Sequence, residues 1–311
     1  MTGAERLTGR VVAVHRGQCD VDVEERPHWV LCSVRGSFRD LTDGSRRTEV
    51  NSLAVGDIVD LTLTDETHGV VEALHPRFSE LSRPAVHRDH LKQVLCANIH
   101  QVAILVSLRE PRFKSQVIDR LLVIALWGNV SPIIILSKTD LGEKAEVDSI
   151  RDMYKGLDVP FIPLSSVTGE GLEEVRALLK NKITAFCGQS GVGKSTLLNS
   201  IMGEERVPTM EISAKTGKGR HTTSWAEIFT TKDGKIIDLP GNKQFDLFEI
   251  PREVVGQFLP DFQKLSEGCK FQPCSHTHEP KCAVRSAVES GALNADRYRN
   301  YCRIFETVGA K

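Results

Sequence analysis

Short stretches in which apolar and polar residues alternate fill the first part of the chain. A period of two is the pattern of strands that bury one face. It predicts five strands, at Gly9–Val14, Gln18–Val23, Val30–Val34, Ile58–Leu63 and Val70–Leu74. The short segment 15–17 between the first two predicts a hairpin turn. Five short strands in close succession are typical of a small barrel of the oligonucleotide-binding (OB) type, which we expect over residues 1–80.

The long connection between the third and fourth predicted strands is rich in arginine. Its two basic segments are Arg35-Gly36-Ser37-Phe38-Arg39 and Gly44-Ser45-Arg46-Arg47. Four arginines around one aromatic ring could hold phosphates and stack on a base of RNA. However, residues 1–82 contain more acidic residues than arginines and no lysine, so an acidic barrel with one solvated loop fits equally well. The polar stretch Arg77 to Asp89 then predicts a linker.

From Val94 onward, apolar runs alternate with stretches of helical periodicity. Strands are predicted at Val102–Val106, Ile133–Leu136, Phe161–Leu164 and Ile183–Cys187. Helices are predicted at Ser115–Trp127, Glu146–Tyr154, Leu172–Leu179 and Thr196–Met202. Continuous apolar strands that alternate with helices predict a doubly wound parallel sheet, which we place at residues 84–249. Ligands of such sheets bind at the carboxyl ends of the strands, so the residues after each strand matter most.

Composition and charge narrow the class of protein. The chain has 311 residues, which suggests two or three domains, and a formal net charge of −1, so any nucleic-acid contact must come from local patches. It contains no apolar run of membrane-spanning length, and its first ten residues lack the apolar core of a signal peptide. Eight scattered cysteines indicate a reducing compartment. We expect a monomeric cytoplasmic protein without membrane contact.

One segment fits the phosphate-binding loop Gly-x-x-x-x-Gly-Lys-Ser/Thr at every defining position. It reads Gly188-Gln189-Ser190-Gly191-Val192-Gly193-Lys194-Ser195, followed by Thr196. A buried strand is predicted before it and a helix after it, which is the context that the motif requires. Lys194 is expected to reach the β- and γ-phosphates of a nucleotide, and the Ser195 hydroxyl to bind Mg²⁺. The alternative is a glycine-rich turn that binds nothing. Such a turn would not explain why Lys and Ser occupy the last two positions of the motif.

The segment after the predicted strand Ile133–Leu136 resembles the guanine-specificity motif Asn-Lys-x-Asp of GTPases. It reads Ser137-Lys138-Thr139-Asp140. In that motif the Asp carboxylate accepts hydrogen bonds from guanine N1–H and the 2-amino group, which adenine cannot match. Ser137 stands in place of Asn, and we expect its shorter side chain to bridge base and phosphate loop less well, lowering affinity more than specificity. Taken alone, such a tetrapeptide is more often a helix N-cap, with Asp140 capping the helix that follows.

The segment after the next strand resembles a second guanine loop of GTPases, Ser-Ala-x-x-Gly-x-Gly-Leu. It reads Ser165-Ser166-Val167-Thr168-Gly169-Glu170-Gly171-Leu172. In GTPases a backbone amide of this segment meets guanine O6. Two such loops, each following its own strand, support a guanine site more strongly than either loop alone.

Two segments beyond the phosphate loop resemble the parts of GTPases that sense the γ-phosphate. Gly217–Thr223 is predicted to be a mobile switch, in which Thr222 or Thr223 completes Mg²⁺ coordination, and we prefer Thr223. A hairpin around Asp233-Gly234, with strands Trp225–Phe229 and Lys235–Leu239, delivers an Asp-x-x-Gly motif, Asp238-Leu239-Pro240-Gly241. In this motif Asp238 would hold Mg²⁺ through water and the Gly241 amide would meet the γ-phosphate.

The order of these loops indicates a circular permutation. Ordinary GTPases place the guanine loops last, whereas here they precede the phosphate loop; joining nearby termini of a compact domain preserves the site. Asp238–Gly241 therefore leads directly into the C-terminal region. For orienting the attacking water we prefer His221, since the position after Gly241 carries the short Asn242 and Gln244 lies two residues further on. A switch-loop histidine without catalytic duty is about as good an interpretation of His221.

Three cysteines and one histidine cluster in the C-terminal region, which we place at residues 250–311. Cys269, Cys274, His276 and Cys282 have the spacing Cys-x₄-Cys-x-His-x₅-Cys. This donor set in so short a span predicts one closed structural Zn²⁺ site. His278 is placed outside the metal site, as a solvent-facing RNA contact. An apolar helix at Ala283–Val288 and a basic helix with Arg297, Arg299 and Arg303 complete the region, with Tyr298 and Tyr301 as packing residues.

Barrel, permuted GTPase and zinc segment in this order resemble the family of small-ribosomal-subunit biogenesis GTPases known as RsgA, YjeQ or YloQ. The resemblance covers nearly the whole chain and includes segments 35–39, 55–57, 219–223 and 274–282. It implies a cytoplasmic GTPase that acts late in small-subunit maturation, binds the subunit and its rRNA in the GTP state, is stimulated by the subunit, and leaves upon hydrolysis. A P-loop ATPase or kinase, and a nucleotide-gated RNA-binding module with little catalysis, are the alternatives.

Overall fold

The computed structural model describes residues 6–24, 26–34, 49–50, 53–85, 88–203, 226–239 and 246–308. Five strands form the N-terminal part: β1 Arg6–Val14, β2 Gln18–Val23, β3 Val30–Val34, β4 Ile58–Leu63 and β5 His68–Leu74. They close into a barrel in the order β1-β2-β3-β5-β4, antiparallel except between β3 and β5. Inward-facing residues such as Val11, Val21 and Leu61 are completely buried in the barrel core. The predicted OB-type barrel is confirmed.

The segment predicted as a linker, Arg77 to Asp89, is instead part of a β-hairpin. Its antiparallel strands are β6 Glu80–Ala85 and β7 Arg88–Ala97. Buried ion pairs join this hairpin to the barrel: Arg77 Nε donates to Asp57 Oδ1 at 2.7 Å, and Arg77 Nη1 donates to Glu80 Oε2 at 3.1 Å. A half-exposed two-stranded ribbon has little hydrophobic periodicity, and ion pairs between distant residues leave no periodic signal in the sequence.

A six-stranded sheet forms the centre of the molecule. Its strands are β8 Gln101–Ser107, β9 Ser131–Ser137, β10 Phe161–Leu164, β11 Ile183–Gly188, β12 Ile228–Thr230 and β13 Lys235–Asp238. The strand order is β10-β9-β8-β11-β13-β12. All neighbouring pairs are parallel except β12 with β13, which form the predicted hairpin.

Helices cover both faces of this sheet, as a doubly wound fold requires. They are α1 Ser115–Trp127, α2 Lys144–Tyr154, α3 Leu172–Leu179 and α4 Lys194–Met202. Successive residues of β8 alternate between two apolar clusters: Ile104 packs in the cluster that contains α1 and α2, whereas Leu105 packs in the cluster that contains α3 and α4. Because β8 is buried on both faces, its sequence is continuously apolar from Val102 to Val106.

The C-terminal region is helical and packs against α1. It contains a 3₁₀ segment, Arg252–Phe258, and the helices α5 Pro260–Ser266, α6 Ala283–Glu289 and α7 Ala295–Thr307. The predicted basic helix α7 exposes Arg299 and Arg303, but Arg297 is only 1 % exposed and donates to Asp119 of α1 at 3.0 Å. Of the helices in the described part of the chain, none combines the length and apolar character needed to cross a membrane.

Candidate guanine-nucleotide site and metal centre

The phosphate loop lies between the carboxyl end of β11 and the first turn of α4. Gly191 and Gly193 have φ of 82° and 89°, a left-handed conformation that side chains with a Cβ rarely adopt. Gly193 directly precedes α4, so the backbone N–H groups of that first turn have no partner within the helix and face the loop. This arrangement suits an anion, because the N–H groups and the helix dipole are both positive there.

Lys194 and Asp238 meet beside the phosphate loop. Lys194 Nζ donates to the Asp238 carboxylate and, at 2.8 Å, to the carbonyl oxygen of Leu239. Asp238 ends β13, which pairs in parallel with β11. Because parallel neighbours end at the same edge, the fold brings the predicted Asp-x-x-Gly segment to the predicted phosphate loop from 44 residues away in the chain.

Ser137 contacts the phosphate loop directly. Its hydroxyl oxygen lies 2.6 Å from the carbonyl oxygen of Val192 and 3.1 Å from that of Val106. We expected the short side chain to bridge poorly; however, β9 ends close enough to the loop for a serine to reach it. The neighbouring Lys138 adopts φ of 57°, and its ammonium donates to the carbonyl oxygen of Glu110. Ser137 therefore ties the first guanine-type loop to the phosphate loop.

The two guanine-type loops are joined through Asp140 and Ser165. Ser165 Oγ donates to Asp140 Oδ1 at 2.6 Å and accepts from the backbone N–H groups of Val167 and Thr168 at 3.3 and 3.2 Å. Ser165 is completely buried, whereas Asp140 and Ser166 are exposed. A second contact, from Thr139 Oγ1 to Glu170 Oε2 at 3.3 Å, also joins the loops. One carboxylate oxygen of Asp140 is thus held in place.

Four segments predicted to bind nucleotide therefore begin at one edge of the sheet, although their order in the chain is permuted. They follow β9, β10, β11 and β13, at the carboxyl ends of four mutually parallel strands. The position of each segment depends on where its strand lies in the sheet, and not on where that strand comes in the sequence.

Several predicted residues lie outside the described residues. They are the switch segment Gly217–Thr223 with His221 and Thr223, the positions Gly241, Asn242 and Gln244, and the arginine segments 35–39 and 44–47. Their predicted roles remain sequence-based predictions.

The predicted metal ligands come together in the C-terminal region. The ligand atoms of Cys269, Cys274, His276 and Cys282 all lie within 4.8 Å of one another. His276 Nδ1 is 3.6 Å from Cys269 Sγ and 3.4 Å from Cys282 Sγ, and the two sulfurs are 3.9 Å apart. Zinc–sulfur and zinc–nitrogen distances of about 2.3 and 2.0 Å in a tetrahedron place neighbouring donors about 3.5–3.8 Å apart. The donor set and its spacing therefore fit zinc.

The protonation properties of the cluster also suit a cation. Burial lowers the pKa of His276, which favours the neutral imidazole that binds metals. Burial raises the pKa of Cys274 to about 12, so formation of its thiolate requires a positive charge nearby, which a divalent metal supplies. His278 lies outside the cluster and is exposed, as predicted.

Groups around the ligands fix the metal loop, and sequence reasoning missed most of them. Tyr298 and Tyr301 donate their hydroxyl hydrogens to the carbonyl oxygens of His276 and Ser275, at 2.9 and 2.6 Å. Burial opposes ionisation of Glu279, but hydrogen bonds from Ser275 and from backbone N–H groups lower its pKa to about 2. The tyrosines are three residues apart on α7, a spacing that places both on one helix face and could have indicated a shared role.

Fold and site together define a class: a circularly permuted P-loop domain of the GTPase type, with a barrel before it and a Cys₃His cluster after it. Comparison with known proteins agrees. The family model described as RsgA GTPase matches residues 74–248. The chain belongs to the RsgA GTPase family.

Named relatives and solved structures extend the match over the whole chain. "Small ribosomal subunit biogenesis GTPase RsgA" of Shewanella oneidensis is 37% identical over 308 residues, which cover 97% of this chain and 83% of that protein. The Chlorobaculum parvum protein of the same name is 37% identical over 313 residues, covering 98% and 99%. The crystal structure of YjeQ from Thermotoga maritima matches with a TM-score of 0.75 and 31% identity, covering 99% of this chain and 100% of that one. The crystal structure of YloQ, described as a circularly permuted GTPase, matches with a TM-score of 0.73 and 26% identity. The match covers 97% of this chain and 94% of that one.

Proposed function

We propose that this chain binds and hydrolyses GTP at the edge where the four loops meet. The observation that carries the proposal is the placement of Asp140, whose carboxylate is held by Ser165 on the same edge as the phosphate loop. An ionised carboxylate accepts two hydrogen bonds from the N1–H and 2-amino groups of guanine, whereas adenine offers an acceptor at N1. The site therefore selects guanine by leaving Asp140 unpaired when the wrong base is bound.

The residues beside the phosphates act through charge and position. Lys194 neutralises charge that develops on the β- and γ-phosphates, and the α4 amides hold the phosphates in line for attack by water. Lys194 contacts Asp238, so the fold places a carboxylate beside the ammonium group of the phosphate loop. Hydroxyl and carboxylate oxygens are ligands that suit Mg²⁺, so Ser195 and Thr223 would hold it directly and Asp238 would hold it through water. When bound, Mg²⁺ withdraws charge from the phosphate oxygens. His221 orients the attacking water.

We further propose that the chain acts on the small ribosomal subunit during late maturation, because the relatives described above carry that activity in their names. In this proposal the GTP form binds the subunit and its rRNA, the subunit stimulates hydrolysis, and the GDP form leaves. The cluster Cys269, Cys274, His276 and Cys282 holds one structural Zn²⁺ that keeps the C-terminal region folded.

The deciding experiment measures phosphate release by the purified full-length chain with GTP or ATP, with and without purified small subunits. We expect GTP to be hydrolysed, ATP not to compete, and subunits to raise the rate. Competition by ATP at equal concentration would favour a P-loop ATPase. Tight GTP binding without turnover in the presence of subunits would favour a nucleotide-gated binding module.

A further inference from the structure

An exposed aromatic ring projects from the metal loop, between two of the metal ligands. Phe271 is 44 % exposed and lies in the four-residue connection from Cys269 to Cys274. Across the described residues, Phe271 belongs to none of the hydrophobic clusters. Two other exposed rings have an aromatic neighbour: Phe78 lies 6.1 Å from the ring of His100, and Trp127 packs edge-on against Phe258 at 5.3 Å.

The loop holds this ring in a fixed place. Cys269 N–H and the Gln272 side-chain amide both donate to the carbonyl oxygen of Ser266, at 3.0 and 2.9 Å. Lys270 N–H donates to the carbonyl oxygen of Lys281 at 3.3 Å, which joins the two arms of the metal loop. A ring that is exposed on a rigid loop loses little conformational entropy when a flat partner stacks on it.

Positive charge lies beside the ring. The Lys270 ammonium lies 5.5 Å from the centroid of the Phe271 ring, and Lys281, joined to Lys270 through the backbone, is also exposed. A peptide partner would need acidic groups on both sides of an apolar contact. A single-stranded nucleotide has this arrangement throughout, because each flat base is flanked by phosphates.

We propose that Phe271, Lys270 and Lys281 form a stacking platform for an unpaired RNA nucleotide, with Phe271 stacking on the base and the lysines meeting the adjacent phosphates. The choice of RNA as the partner rests on the proposed function, because the small subunit would supply the RNA. The platform itself rests on the geometry of the metal loop. Stacking does not distinguish bases strongly, so the platform recognises an unpaired state and not a sequence.

The test measures fluorescence anisotropy of a labelled single-stranded oligouridylate with the full-length, zinc-loaded chain. Phe271→Ala should weaken binding about 5- to 100-fold, whereas Phe271→Trp should bind at least as tightly as the parent chain. Phe78→Ala, which removes an equally exposed phenylalanine elsewhere, serves as the matched control and should bind normally. Lys270→Ala should make the negative slope of log affinity against log salt shallower by about 0.7, the value for one phosphate contact on a single strand.

Three results would overturn the platform. They are no binding of oligouridylate by the parent chain, equal affinity of Phe271→Ala and the parent, and an equal loss of affinity for a blunt-ended, fully paired RNA duplex. Zinc content, measured on every variant, should stay at the parent value. Phosphate release from GTP and GTP-dependent co-sedimentation with subunits, measured on the parent chain, test the proposed function separately. If co-sedimentation decreased in Phe271→Ala while oligouridylate binding stayed unchanged, the contact would be to protein, and the RNA assignment would be wrong.

Discussion

At the residue scale, the hydrogen bond between Ser165 and Asp140 controls which way the Asp140 carboxylate faces. Ser165 Oγ occupies Oδ1, and the backbone N–H groups of Val167 and Thr168 orient the hydroxyl so that its hydrogen points to the carboxylate. A hydroxyl has one hydrogen to give, so these two N–H donors leave Asp140 as its acceptor. In the proposed function, base selection therefore depends on a residue pair that neither guanine-type loop contains alone.

Asp140→Asn should exchange the preferred nucleotide. The Asn amide donates where the carboxylate accepted, so it clashes with guanine N1–H and complements the 2-keto group of xanthine. Loss of two charge-assisted hydrogen bonds, each worth about 1.5 kcal/mol or more, predicts GTP binding at least about 100-fold weaker and a gain for xanthosine triphosphate. Titration calorimetry with both nucleotides measures this. Asp148→Asn, at an exposed position on α2, is the control, and an unchanged preference for GTP in Asp140→Asn would remove Asp140 from base selection.

Lys194→Ala should nearly abolish phosphate release. The substitution removes the positive charge that stabilises the transferring phosphoryl group, for which a loss of about 10²- to 10³-fold is typical of one such contact. Steady-state turnover of the purified variant checks this, with the exposed Lys232→Ala as control. Turnover close to that of the parent chain would contradict the phosphate-loop assignment.

At the element scale, two polar clusters hold the C-terminal helices. One is the Cys₃His cluster, whose loop lies between α5 and α6 and is joined to α7 by the two tyrosine hydroxyls. The other is buried between α1 and α7, where Arg297 meets Asp119 and Asp261, and its ring neighbour Tyr154 lies 5.2 Å away. Short helices such as α5 and α6 have little stability of their own, so these clusters determine whether the region folds.

Cys274→Ser should empty the metal site and loosen the C-terminal region. Structural zinc binding is coupled to folding, and an apparent binding free energy of about 10 kcal/mol or more is lost with the metal. We expect elemental analysis to fall from about one zinc per chain to well below half, with a lower melting temperature. Cys302→Ser removes a cysteine of α7 outside the cluster and should change neither value. Unchanged zinc content and melting temperature in Cys274→Ser would show that Cys274 is not a zinc ligand.

Asp119 makes the α1–α7 contact sensitive to pH. Burial raises the pKa of Asp119 to about 6, although Arg297 and Asn300 oppose the shift. The folded state therefore keeps a proton that the unfolded state releases near pH 4, so this group's contribution is fully present below about pH 4 and is lost as pH rises to about 6. We expect the free energy of unfolding of the parent chain, relative to Asp119→Asn, to fall over this interval. Urea titrations at a series of pH values measure it, and a constant difference would contradict the shifted pKa.

At the scale of the whole molecule, both flanking units contact the elements that carry the nucleotide loops. The barrel meets the β12–β13 hairpin through an ion pair of 2.6 Å between Asp22 and Lys235 and a β-bridge between Ala13 and Glu227. Lys235 begins β13, and Asp238 ends it beside the phosphate loop. The C-terminal helices contact α1, which covers the same sheet. A movement of β13 or α1 on nucleotide binding would therefore be felt at the contacts with both flanking units.

We expect GTP to favour association with the small subunit, because nucleotide can shift this equilibrium only through differential affinity for the binding-competent shape. The subunit must in turn tighten GTP by the same factor. His221→Ala should bind subunits normally with GTP, lose most of the stimulated turnover, and stay on the particle longer. Co-sedimentation with GTP, GDP and a non-hydrolysable analogue, beside turnover assays, measures this, with the exposed His28→Ala as control.

Two outcomes of the co-sedimentation series separate the switch from the catalytic residue. Equal retention with GDP and with the analogue would mean that nucleotide does not control association. Full stimulation of His221→Ala would leave the switch intact and transfer the role of orienting water to another residue.

The sequence by itself determined the elements and the chemistry of the loops, because both depend on neighbouring residues. Helix Ser115–Trp127 and strand Phe161–Leu164 were predicted with their observed bounds, because the helical periodicity of the first and the short apolar run of the second are local patterns. The phosphate loop, the two guanine-type loops and the metal ligands were each recognisable from spacing within a few residues. Their roles in the site stay predictions for the experiments above.

Only the tertiary structure decided which distant residues meet. Burial of Arg297 against Asp119 joins residues 178 apart, and the contact between Ser137 and Val192 depends on how closely β9 ends beside the phosphate loop. The hairpin at 80–97 was missed because ion pairs to the barrel stabilise it and produce no local pattern. Contacts between side chains that are far apart in the sequence stabilise the fold only when the backbone brings them within bonding distance. The local sequence around each residue does not show that distance.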